Sequence, residues 1–442
     1  METKNVGEKQ GQLQRNLSLF EATMFGISFV IGTGVFLKPS VVLENSGSTQ
    51  MAIIMWIVAG LISLCSALTI AEIAAYIPKL GGLYTYLSEL YGEAIGFLYG
   101  WVTILVSGPG GAAASAIAFA TFASYFIKLS STGMRILSIS VVILFGIIQI
   151  LSTKGAMKLQ VAGTIGKLAP IFAILFFGFF QKNIPGSINM DLISNSKSIT
   201  ISGALIGALW AYDGWVSTCT LGEELVNSEK NLPKAIIIAL VFVTAVYALF
   251  NVVIFRNIPA NTIVGSENIG VDVAKSLFGH KGATLVSVGV LISSVVTMNA
   301  QMMNNERNIL PMAQRQLLPG HQILSKISPK FDTPVPCIIL QIILTCIYIF
   351  SGTFETVTNM VIFVVWVFFT LAVFGVFILR KKYPRKDGLY STPLYPVIPI
   401  LGIFGGSYLV ISTLISMFKL SMIGIIVALI GLPIYLYYKN KK

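Results

Sequence analysis

Charge is scarce in this chain. Of its 442 residues, 11% are Asp, Glu, Lys or Arg, whereas a soluble domain carries about 25%. That shortage excludes a water-soluble globular protein. An apolar share of 55% and a mean hydropathy of +0.82 name the solvent instead as lipid. Histidine is nearly missing, with 2 residues, and His280 and His321 fall in loops expected on opposite sides. The 4 cysteines, Cys65, Cys219, Cys337 and Cys346, lie inside or at the ends of apolar spans, so neither a disulfide framework nor a metal site is expected. The spans contain no pair of facing carboxylates and no metal-spaced ligands, which argues against an enzyme and calls for no cofactor.

What is present is a succession of twelve apolar spans of about membrane-crossing length. They lie near 17–44, 51–77, 93–127, 133–151, 159–180, 199–221, 235–256, 283–304, 335–351, 356–380, 396–417 and 420–438, and the eighth is free to run further. The expectation is an all-α integral membrane protein. An even number of spans puts both termini on one side. The polar stretch Met1 to Asn16 reads as a short cytoplasmic tail (1–16) and 439–442 as another, with no leader peptide at the start. Base outnumbers acid, 30 to 18, for a net charge of +12. Most of the basic residues fall beside segments on the terminal side, including the Arg380–Lys386 cluster. That is the positive-inside asymmetry, and it accounts for the charge with no nucleic acid partner.

Two spans carry glycine-bearing breaks at mid-length, Gly32-Thr33-Gly34 and Asp213-Gly214, about 180 residues apart. In hydrocarbon an unpaired backbone group costs several kcal/mol, so a helix is interrupted only where protein, water or ligand takes up the freed groups. Paired interruptions in two halves of a chain point to a binding site at the membrane midplane. If the first ten spans form two sets of five, 17–180 and 199–380, the odd number inverts the second set relative to the first. Helices 11–12 (396–438) then stand outside the repeat. Backbone N–H groups of Thr33, Gly34 and Val35 would point at the midplane, as would carbonyls of Trp210, Ala211 and Asp213. A helix N-terminus favours an anion and a C-terminus a cation. The small ligand carrying both at fixed spacing is an α-amino acid zwitterion. The competing reading is that the glycines only let helices pack closely.

Lys167 is the second signal, deep in the apolar stretch Leu159–Phe180. A lysine at that depth costs about 2.5–3.5 kcal/mol on insertion scales, which makes it a functional candidate, with snorkelling as the alternative. Its ammonium is placed to donate to carbonyls near Ser28 to Gly32, where a sodium ion would otherwise coordinate. Asp213, in the second break, reads best as a cap for the helical turn that follows, with ammonium binding or proton carriage as its other roles. Glu72 reads as structural, and Tyr247 as packed or at the lipid interface. Gly110, Gly111 and Ala112–Ala114 either line the site or pack helices.

The segments VIGTGVF (30–36), PKLGGLYTYL (78–87) and YGEAIGFLYGW (91–101) resemble the amino acid–polyamine–organocation superfamily. WAYDGW (210–215), GEE (222–224), NLPKAI (231–236) and IGKL (165–168) are similar to its L-amino-acid transporter branch, especially the bacterial serine/threonine-type exchangers. The resemblance spans essentially the whole chain. It implies a LeuT-type fold of twelve transmembrane helices, a 5+5 inverted repeat with broken helices 1 and 6. It implies substrate binding by Gly32, Thr33, Gly34, Val35, Trp210, Ala211 and Asp213, with Trp210 as the gate and Lys167 in the sodium position of sodium-coupled relatives. Animal members hold a heavy subunit through a cysteine between spans 3 and 4. The corresponding loop here, Ile127 to Met134, has none, so no disulfide-linked heavy subunit is expected, and the chain is read as a monomer in the plasma membrane. The expected activity is sodium-independent exchange of small to medium neutral amino acids, with proton symport as the alternative. A channel is disfavoured by the lack of a charge ring or repeated filter, and a nutrient sensor by the lack of a long soluble domain.

Overall fold

The computed structural model describes residues 17–440, apart from 33, 80, 125, 182–186, 192–198, 223–224, 267–268, 332, 352–353 and 385. The tail 1–16, Thr33, Glu223, Glu224 and the last two lysines therefore lie outside the described residues.

The described chain is helical, with two isolated bridges and no strand. It begins with α1 (Leu19–Val30) and α2 (Gly34–Ser46), then α3 (Thr49–Tyr76), α4 (Leu83–Tyr91) and α5 (Glu93–Val102). A π-helical turn, Thr103–Ser107, carries α5 into α6 (Gly108–Ala123). Next come α7 (Ser131–Leu151), α8 (Thr153–Phe180) and α9 (Ile201–Tyr212), the last extended by a 3-10 turn at Trp215–Leu221. After α10 (Ser228–Asn257) and the short α11 (Ala260–Ile263), α12 runs Ile269–Gln314 with a non-helical kink at Gly279. The chain ends with α13 (His321–Leu324), α14 (Val335–Ser351), α15 (Phe354–Lys382), α16 (Val397–Ser416) and α17 (Phe418–Lys439).

Among the described residues 9 helices are long and apolar enough to cross a membrane, or 10 with the bent α1–α2 pair counted as one. This is a multi-pass membrane protein. Of the other expected spans, 199–221 is α9 with its 3-10 extension, and 335–351 is the shorter apolar helix α14. The expected span 283–304 continues to Gln314 because its polar end, Asn304 to Asn308, is buried or half-buried against neighbouring helices instead of entering solvent.

Serine starts several of these helices. Ser18 and Glu21 form a reciprocal capping box on α1, with Ser18 N–H donating to Glu21 Oε2 at 2.7 Å. Ser48, Ser130 and Ser152 accept the third backbone N–H of α3, α7 and α8. Each such cap contributes about 0.5–2 kcal/mol. Packing then depends on small residues, because lipid supplies no hydrophobic drive between helices. A β-carbon on Gly60 of α3 would stand 2.6 Å from Thr244 Cγ2 and 2.9 Å from the Tyr212 hydroxyl. Tyr212 in turn donates to the Trp56 carbonyl at 3.1 Å.

Both described ends lie at one face. Val226 N–H donates to the Leu17 carbonyl, Lys79 pairs with Glu89, Lys382 donates to the Glu89 carbonyl, and Tyr435 donates to Glu93. At that terminal face Glu72 has the structural part expected of it. Arg380 grips it in bidentate fashion at 2.8 and 2.9 Å, and Thr392 N–H adds a third bond at 2.8 Å. The Glu72 side chain is 3% exposed and that of Arg380 30%, so removing the carboxylate strands a half-buried guanidinium. Glu72→Ala is expected to destabilise the protein by about 1–3 kcal/mol, read as a lower melting temperature in detergent. An unchanged melting temperature would show that the pair adds nothing.

Candidate functional site

Glycine and a β-branched residue are poor helix formers, and the first span comes apart where they fall together. α1 closes at Val30, with Ile31 N–H donating to the Ile27 carbonyl, and α2 reopens at Gly34 at an angle of 46°. The first N–H groups of α2 lack partners within the helix, as at any N-terminus. Gly34 meets the other broken span closely. A β-carbon there would lie 2.8 Å from Trp210 Cζ3 and 3.1 Å from Ala211 Cα, whereas at Gly32 it would meet only Thr297, at 3.4 Å. Close packing therefore explains Gly34 in part and Gly32 hardly at all.

The second span breaks after Tyr212. Asp213 is extended, and Gly214 takes the left-handed region at φ 109°, which an L-residue rarely adopts. The two breaks touch here: a β-carbon on Gly214 would come 3.0 Å from the Phe29 carbonyl oxygen. The expected cap by Asp213 is not made. Gly214 holds the N-cap position of the 3-10 turn, and Asp213 Oδ1 is buried without a hydrogen-bond partner among the described residues.

Tyr247 of α10 is the residue that sequence reasoning undervalued. It is wholly buried, and its hydroxyl lies 2.8 Å from the Val30 carbonyl and 3.0 Å from that of Ala211. One proton thus serves the C-terminal ends of both broken helices. Trp56 and Tyr212 hold the ring edge-on at centroid distances of 5.5 and 5.1 Å. The one sequence signal available was a tyrosine deep in a span, whose hydroxyl must find a partner there.

Lys167 does not snorkel. It is fully buried on α8, and its Nζ donates to the Ser28 carbonyl in the last turn of α1.

The breaks open on one cavity. Gly32, Gly34, Trp210, Ala211 and Asp213 line it; Val35 is buried but is not part of the lining, and Thr33 lies outside the described residues. Gly110, Gly111 and Ala114 of α6 form another wall, whereas Ala112 and Ala113 pack against α7 and α12, so the small-residue run does both. Sequence reasoning missed Ser107, Thr297 and Gln301. Thr297, Gln301, Asn304 and Asn308 recur at helical spacing in α12, a polar stripe that was available as a signal. A second cavity adjoins the first, sharing Ser107, Asp213 and Gln301 and reaching Gly81 and Thr220. Trp210 is half-buried, with the buried Lys38 ammonium 5.3 Å from its ring centroid.

A polar cavity between two helix ends inside a membrane protein suits a small dipolar solute, and comparison with known proteins identifies the class. The family model "Amino acid permease" matches residues 17–436. The chain belongs to the amino acid permease family. This permease is 37% identical to the serine/threonine exchanger SteT of Bacillus subtilis over 97% of its own length and 98% of that protein. It is 31% identical to the human cystine/glutamate transporter, over 97% and 86% of the two chains. It is 29% identical to the rabbit large neutral amino acids transporter small subunit 2, over 97% and 82%. The permease is thus an amino acid transporter and not an enzyme, as the resemblance implied.

Tyr247→Phe removes the shared proton and leaves two buried carbonyls with one donor fewer. The expected result is a loss of about 1–3 kcal/mol in detergent stability, together with weaker substrate binding. Wild-type values for both would show that the hydroxyl does not tie the breaks.

Proposed function

We propose that this permease is a sodium-independent exchanger of small to medium neutral L-amino acids, of the serine, threonine and alanine kind, working by obligatory exchange with alternating access. The observation that carries this reading is the convergence of the N-terminal end of α2 and the C-terminal end of α9 on one cavity. Backbone N–H groups at Thr33, Gly34 and Val35, with Gly32 beside them, take the substrate carboxylate. Carbonyls around Trp210, Ala211 and Asp213 take its ammonium, and Trp210 closes over it as the gate.

Sodium independence draws on Lys167. Its ammonium already occupies the carbonyl end of α1 at Ser28, so a fixed cation stands where a mobile one would be needed. The preference for small hydroxylated substrates draws on two features: the glycine and alanine wall of α6, and the unpartnered Asp213 Oδ1, which a serine or threonine hydroxyl satisfies by donating to it. The name of the Bacillus relative, a serine/threonine exchanger, points the same way. The unpartnered Oδ1 also favours one alternative, proton-coupled symport with Asp213 or Lys167 as the carrier.

The architecture we propose for this activity is a LeuT-type fold of twelve transmembrane helices. Residues 17–180 and 199–380 form two inverted sets of five, followed by helices 11–12 (396–438). The chain works as a monomer in the plasma membrane with cytoplasmic termini. The cysteine-free loop Ile127 to Met134 leaves no attachment for a disulfide-linked heavy subunit.

Uptake of radiolabelled serine into proteoliposomes tests the mechanism. Exchange predicts uptake that requires internal unlabelled amino acid and ignores sodium and pH gradients; uptake into empty vesicles driven by an inward proton gradient would instead establish symport. Lys167→Ala is expected to lower transport about tenfold or more, since it strands the Ser28 carbonyl, while the protein still inserts. Wild-type turnover would remove Lys167 from the mechanism. Gly34→Val drives Trp210 and Ala211 into the site and is expected to weaken serine binding by at least about 100-fold; unaltered affinity would leave the first break as a packing device.

A further inference from the structure

Beside Lys167 lies a chain of buried side-chain amides that the transport reading does not use. Gln149 of α7 donates through Nε2 to Asn299 Oδ1 of α12 at 2.9 Å. Asn299 Nδ2 donates to Gln160 Oε1 of α8 at 2.9 Å, and Gln160 Nε2 to Ser28 Oγ of α1 at 2.6 Å. All four residues are at most 2% exposed. Every bond points the same way: Gln149 donates to Asn299, and Asn299 and Gln160 each accept from behind and donate toward α1. The chain ends on the residue whose carbonyl holds the Lys167 ammonium. Buried amides in lipid-embedded protein keep their hydrogen bonds because no water replaces them, so a connected set of this kind moves as a unit or breaks at a definite joint.

The joint is on α1. Between α1 and α8 lies a cavity bordered by Met24, Phe25 and Ser28 of the one helix and Gln160, Val161 and Thr164 of the other. The terminal half of α1 is free of its continuation at the 31–33 break and has open space beside it, and these polar ties fasten its upper end.

We infer that Gln160, Asn299 and Gln149 are positioning residues: they hold the end of α1 to the α7–α12 pair and so keep the substrate-free protein from reorienting. This rests on the exchanger reading, because only an obligatory exchanger requires the empty carrier to be arrested. Substrate entering the cavity above Ser28 supplies new contacts to the end of α1 and offsets the breaking of the tie. The empty protein has no such compensation.

The test is efflux of radiolabelled serine from proteoliposomes into buffer with and without external serine. Gln160→Leu and Asn299→Leu are each expected to raise efflux into serine-free buffer at least about tenfold while leaving exchange within about threefold. The double variant is expected to match either single one, as members of one unit do. Gln160→Glu, whose carboxylate accepts from both Asn299 and the Ser28 hydroxyl, is expected to return efflux toward wild type. Unchanged serine-free efflux in both single variants, or multiplicative effects in the double, would overturn the proposal; a merely structural role lowers both fluxes together. If Gln160→Leu fails to assemble, Gln149→Leu, at the far end of the chain, carries the same expectation. A second readout is independent of where substrate binds. With the native cysteines replaced, maleimide labelling of Met24→Cys in the substrate-free protein should speed up in Gln160→Leu. If wild-type efflux is already fast without external serine, the exchanger reading fails by itself, and the labelling rate alone decides whether the amides restrain α1.

Discussion

Inside a bilayer, a backbone N–H or carbonyl with no partner costs several kcal/mol, and the organisation of this permease follows from where it accepts that risk. Both breaks free carbonyls at the C-terminal ends of α1 and α9, and among the described residues three of them are taken up by side chains from other helices. Tyr247 of α10 serves Val30 and Ala211, and Lys167 of α8 serves Ser28. The donors come from helices that stay regular through the same depth. The interrupted spans are therefore braced by uninterrupted ones.

The breaks were legible in the sequence because their cause is local. Glycine at 32, 34 and 214 in otherwise apolar runs weakens the helix whatever surrounds it, and Lys167 announces itself by its cost. Tyr247 was not legible, because a tyrosine in a span has several satisfactory environments and only the arrangement of α1, α9 and α10 selects this one. Asp213 was misread for a related reason. An aspartate before a helical turn is ordinarily a cap, but the left-handed Gly214 takes over the N-cap position and leaves the carboxylate on the wall between two cavities. The far end of α12 was left open in the sequence: Asn305, Glu306 and Asn308 resemble a loop by composition, yet they are buried. Composition reports what a segment would do in water, and here neighbouring helices replace water.

The π-helical turn at Thr103–Ser107 is a third irregularity, and it obeys the same rule. Such a turn leaves carbonyls out of the normal ladder. Tyr348 of α14 donates to the Leu105 carbonyl at 3.0 Å, and Asn305 of α12 approaches that of Ile104 at 3.5 Å. The turn brings both Thr103 and Ser107 onto the cavity walls, and it seats Gly108 directly beneath Asn305, where a β-carbon would come within 2.2 Å of Cγ. A regular helix through this stretch would rotate Ser107 or Gly108 out of place.

Three irregular segments thus border one pair of cavities, and this divides the labour of recognition. The walls supplied by the two broken spans include main chain at Gly32, Gly34 and Ala211, which under the proposed function addresses what every α-amino acid shares. The walls supplied by α6, the π turn and α12 are side chains or the lack of them: Ser107, Gly111, Ala114, Gln301. Under the proposed function, discrimination among amino acids rests on that second set together with the Asp213 side chain. Relatives named for serine/threonine, cystine/glutamate and large neutral amino acids are what this division leads one to expect, since exchanging a few side chains on regular helices alters the pocket without disturbing the backbone that the zwitterion requires.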